Sequence, residues 1–314
     1  MKKLYVAIGL FLAIILVGVL YWISGQSPAN AKDKSTKIFV IQKGESVREI
    51  GNNLKHEGLI RDPVVFFIYI KLNKQDTNIQ AGDFRLSPSM NLAAVVNNLN
   101  HGILDIWTTF PEGVRADEAA DILKKHIPSY EETWRTVLNQ NEGYLFPDTY
   151  LIPKDATVDS VVLMMRNNFN TKISDLGLTP DAPNLKKAII IASLIEREAI
   201  TDEEKPLIAG VIDNRLDLGI ALQIDATIQY VKGNSKKWWP QVFREDYETI
   251  NSPYNTYLNP GLPPGPIANP GIEAIKAAQN PQEHNYLYYI HDKNGKIHPA
   301  RTIEEHNANV AKYL

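Results

Sequence analysis

An uncharged apolar run near the N-terminus, residues 4–23, constrains the fold of this 314-residue chain more than any other feature. A helix rises about 1.5 Å per residue, so about 20 residues can cross a hydrocarbon core about 30 Å thick. Tyr21 and Trp22 lie near the far end of the run, where aromatic rings favour the membrane interface. Lys2 and Lys3 precede it and indicate a cytoplasmic N-terminus. The run therefore predicts one transmembrane helix, with the rest of the chain outside the cytoplasm.

A cleaved signal peptide is the alternative interpretation of this segment. A small-x-small site occurs at residues 29–31, but it lies far beyond the apolar run, which is itself long for a signal peptide. An uncleaved anchor is therefore the favoured prediction. The chain has no cysteine, which excludes a lipoprotein anchor, disulfides and thiolate chemistry. Residues 24–36 are small and polar and predict a linker.

The composition indicates a folded, globular remainder, because 44% of the residues are hydrophobic and 22% are charged. The net charge of -3 shows no basic excess, so nucleic acid is not an expected partner. Helix-like and strand-like patterns do not alternate strictly, which predicts an α+β fold rather than a doubly wound sheet. The predicted organisation is a cytoplasmic N-terminus (1–3), a transmembrane helix (4–23), a linker (24–36), a small module (37–103) and a larger domain (104–314).

The small module begins with a predicted strand at residues 37–41, which are β-branched and aromatic. Ser46 is placed to cap a following helix, whose apolar residues have helical spacing. A second apolar helix, a returning strand and a third short helix complete the predicted module. Residues 41–50 resemble the opening of a LysM module, which binds glycan. A generic strand–turn–helix is the alternative for this phrase.

A buried helix is predicted at residues 184–200, because its first part is apolar on nearly every face. Glu196 shares a face with Ile189 and Ala192, so its carboxyl is expected to be partly removed from water. Desolvation favours the protonated form of a carboxyl, which a reaction needs when it must donate a proton near neutral pH. The alternative is a solvated helix end in which the glutamates pair with neighbouring cations. Glu198 lies two residues further on and is expected to point to the other side of the helix.

Four further blocks carry polar or aromatic side chains in otherwise apolar stretches. They are residues 214–216, 223–227, 252–257 and 261–267. Their amides, rings and carboxyl groups suit sugar stacking and hydroxyl recognition, although each block could equally be a structural turn. The chain has no phosphate-binding loop, nucleophile elbow or His-Glu-x-x-His motif, and its seven histidines show no metal-ligand spacing.

Together these blocks resemble the YceG-like (MltG) family in order and spacing. The resemblance is carried by residues 142–150, 192–199, 211–216, 222–227, 252–257 and 261–267. It covers residues 37–314, and the N-terminal anchor fits it too. Several long motifs in one order are far more specific than any one of them alone. The resemblance implies a LysM-like module followed by a YceG-like catalytic domain.

The resemblance implies an endolytic murein transglycosylase of the cytoplasmic membrane, with its catalytic domain on the extracytoplasmic side. In that chemistry one carboxylic acid cuts the bond between MurNAc and GlcNAc and leaves a 1,6-anhydroMurNAc end. The catalytic glutamate of the family falls on Glu196. Supporting, substrate-binding residues are expected at Glu198, Asn214, Gln223, Asp225, Tyr254 and Asn255. No cofactor or metal is expected. The implied partners are glycan strands, the membrane and the peptidoglycan synthases whose nascent strands the enzyme would end.

Two other functions compete with this one. A lysozyme-like hydrolase would use Glu196 with a second carboxylate such as Asp225, and it would release reducing ends instead of anhydro ends. A non-enzymatic scaffold would bind peptidoglycan and release no fragments. The one-carboxylate pattern of the family argues against the hydrolase. A buried carboxyl among aromatic and amide loops argues against the scaffold.

Overall fold

The computed structural model describes residues 2–76, 78–100 and 105–314, with side chains from residue 9 onward. It is a mixed helix-and-strand fold, as predicted, and the chain divides into two compact units, Met1–Ile106 and Trp107–Leu314. The predicted boundary between residues 103 and 104 lies outside the described residues.

The first unit combines an N-terminal helix with a two-stranded sheet and three further helices. In chain order its elements are α1 (Lys2–Gln26), β1 (Lys37–Ile41), α2 (Val47–His56), α3 (Pro63–Leu72), β2 (Gly82–Leu86) and α4 (Leu92–Asn100). The strands β1 and β2 pair antiparallel with Phe39 opposite Phe84, and both rings are buried in the core of the unit. Because side chains alternate along a strand, Ile38 and Val40 point outward.

Local capping signals determine where α2 and α3 begin. Ser46 accepts a hydrogen bond from the backbone N–H of Glu49, and the carboxylate of Glu49 accepts one from the N–H of Ser46. The predicted cap at Ser46 is therefore confirmed. Asp62 accepts from the N–H of Val64 at 2.8 Å, and Pro63 occupies the first helical position, where no N–H is needed.

The apolar N-terminal run forms a single helix, α1. Its stretch Gly9–Gln26 is long and apolar enough to cross a membrane, and only 6% of that stretch is buried against the protein. Its last turns nevertheless contact the folded unit, because Trp22 packs against the core and Gly25 lies against Val65. A methyl group at Gly25 would collide with the Val65 side chain, so glycine permits this close approach.

The second unit is mostly helical and contains short strand pairs. Its elements are β3 (Asp105–Thr109), which starts at the junction of the units, α5 (Ala116–His126), α6 (Trp134–Asn139), β4 (Thr149–Pro153), α7 (Val158–Asp175), α8 (Leu185–Glu198), a 3-10 turn (Asp202–Glu204), α9 (Lys205–Asp217), α10 (Asp225–Lys232), α11 (Asp246–Thr249), α12 (Ile272–Gln279), β5 (Tyr288–His291), β6 (Ile297–Ala300) and α13 (Ile303–Tyr313). Strand β3 pairs with β4, and β5 pairs antiparallel with β6 across a turn at residues 292–295.

Helix α8 lies at the centre of the core of the second unit. Every residue from 188 to 195 is buried, and the helix packs against α9, α10 and α12. The prediction of a buried helix here is therefore confirmed. The Pro/Gly loop that precedes α12 lies on α8, where the N–H of Ile267 donates to Oγ of Ser193 at 3.1 Å. Gly143, with φ of +86°, lies against Pro266 of the same loop.

Candidate active site

A pocket of about 540 Å³ opens beside the C-terminal end of α8. Its walls come from α8, α9, the segment that leads into α10, α11, the aromatic loop that follows α11 (residues 250–259), β5 and α13. It is lined by Glu198, Arg215, Leu222, Gln223, Ile224, Asp225, Tyr247, Tyr257, Tyr288, Tyr289, Ile290, Ile303, His306, Val310 and Leu314. The pocket therefore combines carboxyl groups and an amide with tyrosine rings, and α13 adds apolar side chains.

Glu198 is the carboxyl that α8 presents to this pocket. The Tyr289 hydroxyl donates a hydrogen bond to its Oε2 at 2.7 Å, and the backbone N–H of Ala226 also bonds to it. Burial raises the pKa of Glu198 and the charge of Asp225 raises it further, whereas the two donors and His291 act in the opposite direction. A carboxyl with a raised pKa keeps its proton closer to neutral pH, so it can act as a general acid.

Asp225, the first residue of α10, is held by the aromatic loop. The Tyr257 hydroxyl donates to its Oδ1 at 2.6 Å. The ring of Tyr247 stacks on that of Tyr257, with centroids 4.0 Å apart and planes 12° apart. Burial and the bond to Asp225 raise the pKa of Tyr257, so its hydroxyl remains a hydrogen-bond donor. A fixed carboxyl group and aromatic faces thus share one wall of the pocket.

Gln223 occupies a strained backbone position at the pocket. Its φ is +56°, in the left-handed region, which costs a residue with a side chain about 1–2 kcal/mol. Its backbone N–H donates to the carbonyl of Thr256 at 3.1 Å, and its Oε1 accepts from the guanidinium of Arg215. Arg215 also donates to the carbonyls of Ala221 and Leu287, both at 3.1 Å. These contacts hold the Gln223 amide in place, and strain maintained in this way is common at functional sites.

Glu196 faces a different set of groups from Glu198. Both of its carboxylate oxygens lie 3.4 Å from Nζ of Lys205, and its Oε2 accepts the N–H of Gly271 at 3.1 Å. Its side chain is 9% exposed, so it is largely removed from water, as the sequence predicts. Glu112 lies against Gly271, and burial and the charge of Glu196 raise the pKa of Glu112. Glu196 therefore belongs to a charged cluster and does not line the pocket.

The structure places some of the predicted supporting residues in the pocket and others outside its lining. Glu198, Gln223 and Asp225 line it, whereas Asn214, Tyr254 and Asn255 do not. Asn214 donates to the carbonyl of His284 at 2.8 Å and so ties α9 to the segment before β5. Tyr254 packs its ring against that of Tyr230, at a centroid distance of 4.9 Å. In the structure these two side chains support neighbouring segments.

Asn255 holds the aromatic loop from inside. It is fully buried, and its amide donates to the carbonyls of Ile250 at 2.8 Å and Tyr247 at 3.0 Å. Its Oδ1 accepts the N–H of Tyr257 at 2.9 Å. Asn255 thereby positions the two tyrosines that meet Asp225.

Sequence reasoning missed several aromatic residues of the pocket. Tyr247, Tyr288, Tyr289 and His306 line it, although none is in the predicted site. Tyr288 and Tyr289 are neighbours on β5, and neighbouring strand residues point to opposite faces. The sequence therefore gives no reason to expect both rings beside one cavity. The sequence feature that could have indicated an aromatic pocket is the high number of tyrosines in the last third of the chain.

A second buried carboxyl was also missed. Glu142 accepts the N–H of Ala116 at 2.9 Å and the amide of Asn269 at 3.0 Å. Burial raises the pKa of Glu142 to about 8, although the bond from Ala116 and the charge of Arg115 oppose the shift. The same Asn269 accepts the N–H of Gly143 at 2.8 Å, so this carboxyl is part of the framework around the start of the 142–150 block.

The sequence of this chain is similar to a protein family and to proteins of known activity. The chain matches the model described as the YceG-like family over residues 39–312. It is similar to the endolytic murein transglycosylase of Bacillus subtilis, with 32% identity in an alignment that covers 94% of this chain and 89% of that protein. It is also similar to the endolytic murein transglycosylase of Streptococcus pneumoniae, with 29% identity in an alignment that covers 100% of this chain and 65% of that protein.

A solved structure is similar over most of the chain as well. It is the crystal structure of a yceG-like protein from Listeria monocytogenes, which has a TM-score of 0.57 and 30% sequence identity to this chain. The similarity covers 88% of this chain and 99% of that one.

Proposed function

This chain belongs to the YceG-like family, and from that membership we propose that it is an endolytic murein transglycosylase. Its substrate is the glycan strand of peptidoglycan, cut within the strand at bonds between MurNAc and GlcNAc. The observation that carries this proposal is the family match across residues 39–312, which spans the lining of the pocket except for Leu314.

The reaction needs one group that first donates a proton and then accepts one. The acid protonates the oxygen between MurNAc and GlcNAc, and the bond from that oxygen to C1 of MurNAc breaks. The resulting carboxylate takes the proton of the C6 hydroxyl of the same MurNAc, whose oxygen then bonds to C1. One fragment ends in 1,6-anhydroMurNAc, the other begins with a free GlcNAc hydroxyl, and no water is consumed. Most glycoside hydrolases instead use two carboxyl groups.

Glu198 is the carboxyl best suited to this exchange. It lines the pocket, its pKa is raised by burial, and Tyr289 orients its Oε2. The resemblance assigns the role to Glu196, which stays a competing prediction. Glu196 faces Lys205 and the N–H of Gly271 and does not line the pocket. We therefore assign proton transfer to Glu198. Glu196 joins α8 to α9 through Lys205.

The remainder of the pocket suits a polysaccharide. Tyrosine rings offer flat apolar faces with a polar tip, and Asp225 and Gln223 offer hydrogen-bond partners for sugar hydroxyls and acetamido groups. A volume of about 540 Å³ is typical of a site for a small ligand, so the pocket accommodates a few sugar units. Cutting within a strand then requires the glycan to continue beyond the pocket at both ends.

The proposed location is the cytoplasmic membrane, which α1 spans, with the chain that follows α1 on its outer side. Helix α1 has the length and composition of a single membrane span, and Lys2 and Lys3 favour a cytoplasmic N-terminus. An enzyme anchored there meets strands as the peptidoglycan synthases extend them. A cut at that point would end the elongation of a strand.

Digestion of purified peptidoglycan tests the activity and the assignment together. Wild-type full-length protein in detergent is expected to release fragments with 1,6-anhydroMurNAc ends, detected by mass spectrometry. The Glu198→Gln variant is expected to lose about 100-fold or more of the cleavage rate, because an amide cannot donate the proton. The matched Glu196→Gln variant is expected to keep its activity. Thermal unfolding of both variants verifies that each is folded.

The competing assignments predict different products. If activity is lost in Glu196→Gln and kept in Glu198→Gln, Glu196 is the catalytic acid. Reducing ends, one water heavier than anhydro ends, would identify a hydrolase with a second carboxylate such as Asp225. Retention on peptidoglycan without released fragments would identify a scaffold.

The proposal also gives the first unit a glycan-binding role, through the LysM-like segment at residues 41–50. Its support is a pocket of about 580 Å³ at the turn between β1 and α2, lined by polar side chains that include Lys43 and Asn52. Retention of the full chain on insoluble peptidoglycan measures this role. Asn52→Ala is expected to weaken retention, and Asn73→Ala, an exposed amide outside this pocket, serves as the control. Equal retention of both variants would show that this pocket does not bind glycan.

A further inference from the structure

The outward face of α3 is apolar although its other face is already buried. Val65 and Phe66 lie in the core of the first unit. On the opposite side Val64, Ile68 and Leu72 recur every four residues and are 55%, 39% and 69% exposed. A helix that is apolar on both faces is normally covered on both. We therefore expect another surface to cover the outward stripe of Val64, Ile68 and Leu72.

Basic side chains lie beside this stripe. Phe67 completes the apolar face, and the guanidinium of Arg48 lies 5.1 Å from the centroid of its ring. Lys71 and Lys74, both exposed, follow on the same stretch, where Lys71 pairs with Asp76. An apolar stripe bordered by cations is typical of helices that lie in a membrane surface and attract anionic headgroups.

Helix α3 is joined to the outer end of the anchor helix. The Tyr21 hydroxyl donates to the carboxylate of Asp62 at 2.6 Å, immediately before α3. One turn later Gly25 lies against Val65, with no room for a side chain between them. Tyr21 and Trp22 are the aromatic residues expected at the membrane interface. The first turn of α3 is therefore held beside the aromatic end of α1.

We propose that the outward face of α3 lies in the outer surface of the membrane and forms a second attachment beside α1. Val64, Ile68 and Leu72 enter the region between headgroups and acyl chains, and Arg48 and Lys74 face anionic headgroups. The proposal rests on the membrane-spanning role of α1 that is part of the proposed function. It does not depend on the chemistry in the second unit.

Single-cysteine variants of the full chain test this attachment, because the sequence has no cysteine of its own. Ile68→Cys and Leu72→Cys are labelled with the polarity-sensitive fluorophore NBD. The proteins are placed in nanodiscs of phosphatidylethanolamine and phosphatidylglycerol, with or without lipids that carry a nitroxide near the headgroup. Phe11→Cys, 64% exposed on α1, reports the span, and Leu163→Cys, 60% exposed in the second unit, is the matched control. Nitroxide quenching is expected to be several-fold stronger at positions 68 and 72 than at 163.

The outcomes separate this proposal from the others. Quenching at 68 and 72 no stronger than at 163, with a lipid-like signal at position 11, would overturn the attachment and leave the anchor standing. A water-like signal at position 11 would overturn the span and the attachment together. Peptidoglycan cleavage by the same labelled samples verifies that they are folded and tests the enzymatic function independently of either result.

Discussion

Replacing Asn255 by alanine is expected to destabilise the second unit and displace the aromatic loop, without removing a direct substrate contact. The side chain is 0% exposed and makes three hydrogen bonds, to Ile250, Tyr247 and Tyr257. Each such bond contributes about 0.5–1.5 kcal/mol net, so the free energy of unfolding should fall by about 3 kcal/mol. In a domain of this size each kcal/mol lowers Tm by about 2–4 °C, so Tm should fall by about 6–12 °C.

Thermal unfolding followed by circular dichroism measures this change. Asn251→Ala is the matched control, because it removes an exposed amide of the same loop and is expected to change stability by less than about 0.5 kcal/mol. Cleavage should fall in Asn255→Ala because Tyr247 and Tyr257 lose their positions beside Asp225. A Tm within about 2 °C of wild type combined with lost cleavage would refute this reasoning. It would support the substrate contact that the sequence predicts for Asn255.

Three further predictions concern titration and packing. Folded Glu142 has a pKa of about 8 against an ordinary value of 4.5, so the folded state keeps a proton that the unfolded state has lost. Stability should therefore fall as pH rises from about 4.5 to about 8, and Glu142→Gln should flatten that fall in thermal unfolding. Asp225→Asn should move the alkaline limb of the rate–pH profile to lower pH, because it removes one cause of the raised pKa of Glu198. Gly143→Ala should lower the free energy of unfolding by about 3 kcal/mol, as measured by urea denaturation, because φ is +86° and a methyl group there would overlap Pro266.

Several elements were predictable because local chemistry decides them. The cap at Ser46, the strand β1 and the buried helix α8 follow from short stretches whose residues agree with one another. Helix α10 and strand β6 were not predicted. The first has only eight residues, too few for a clear period. The second has four residues, and one of them is Pro299, which cannot donate to a ladder and normally argues against a strand.

The sequence by itself determined the apolar N-terminal helix, the family and the stretch of α8 that carries the glutamates. Each depends on contiguous residues, because hydrophobic length, motif order and helical period can all be recognised in the linear sequence. Only the tertiary structure decided which glutamate meets the pocket. Glu196 and Glu198 lie about 160° apart around one helix. The side that faces a cavity is set by α9, the aromatic loop, β5 and α13, which come from distant parts of the chain.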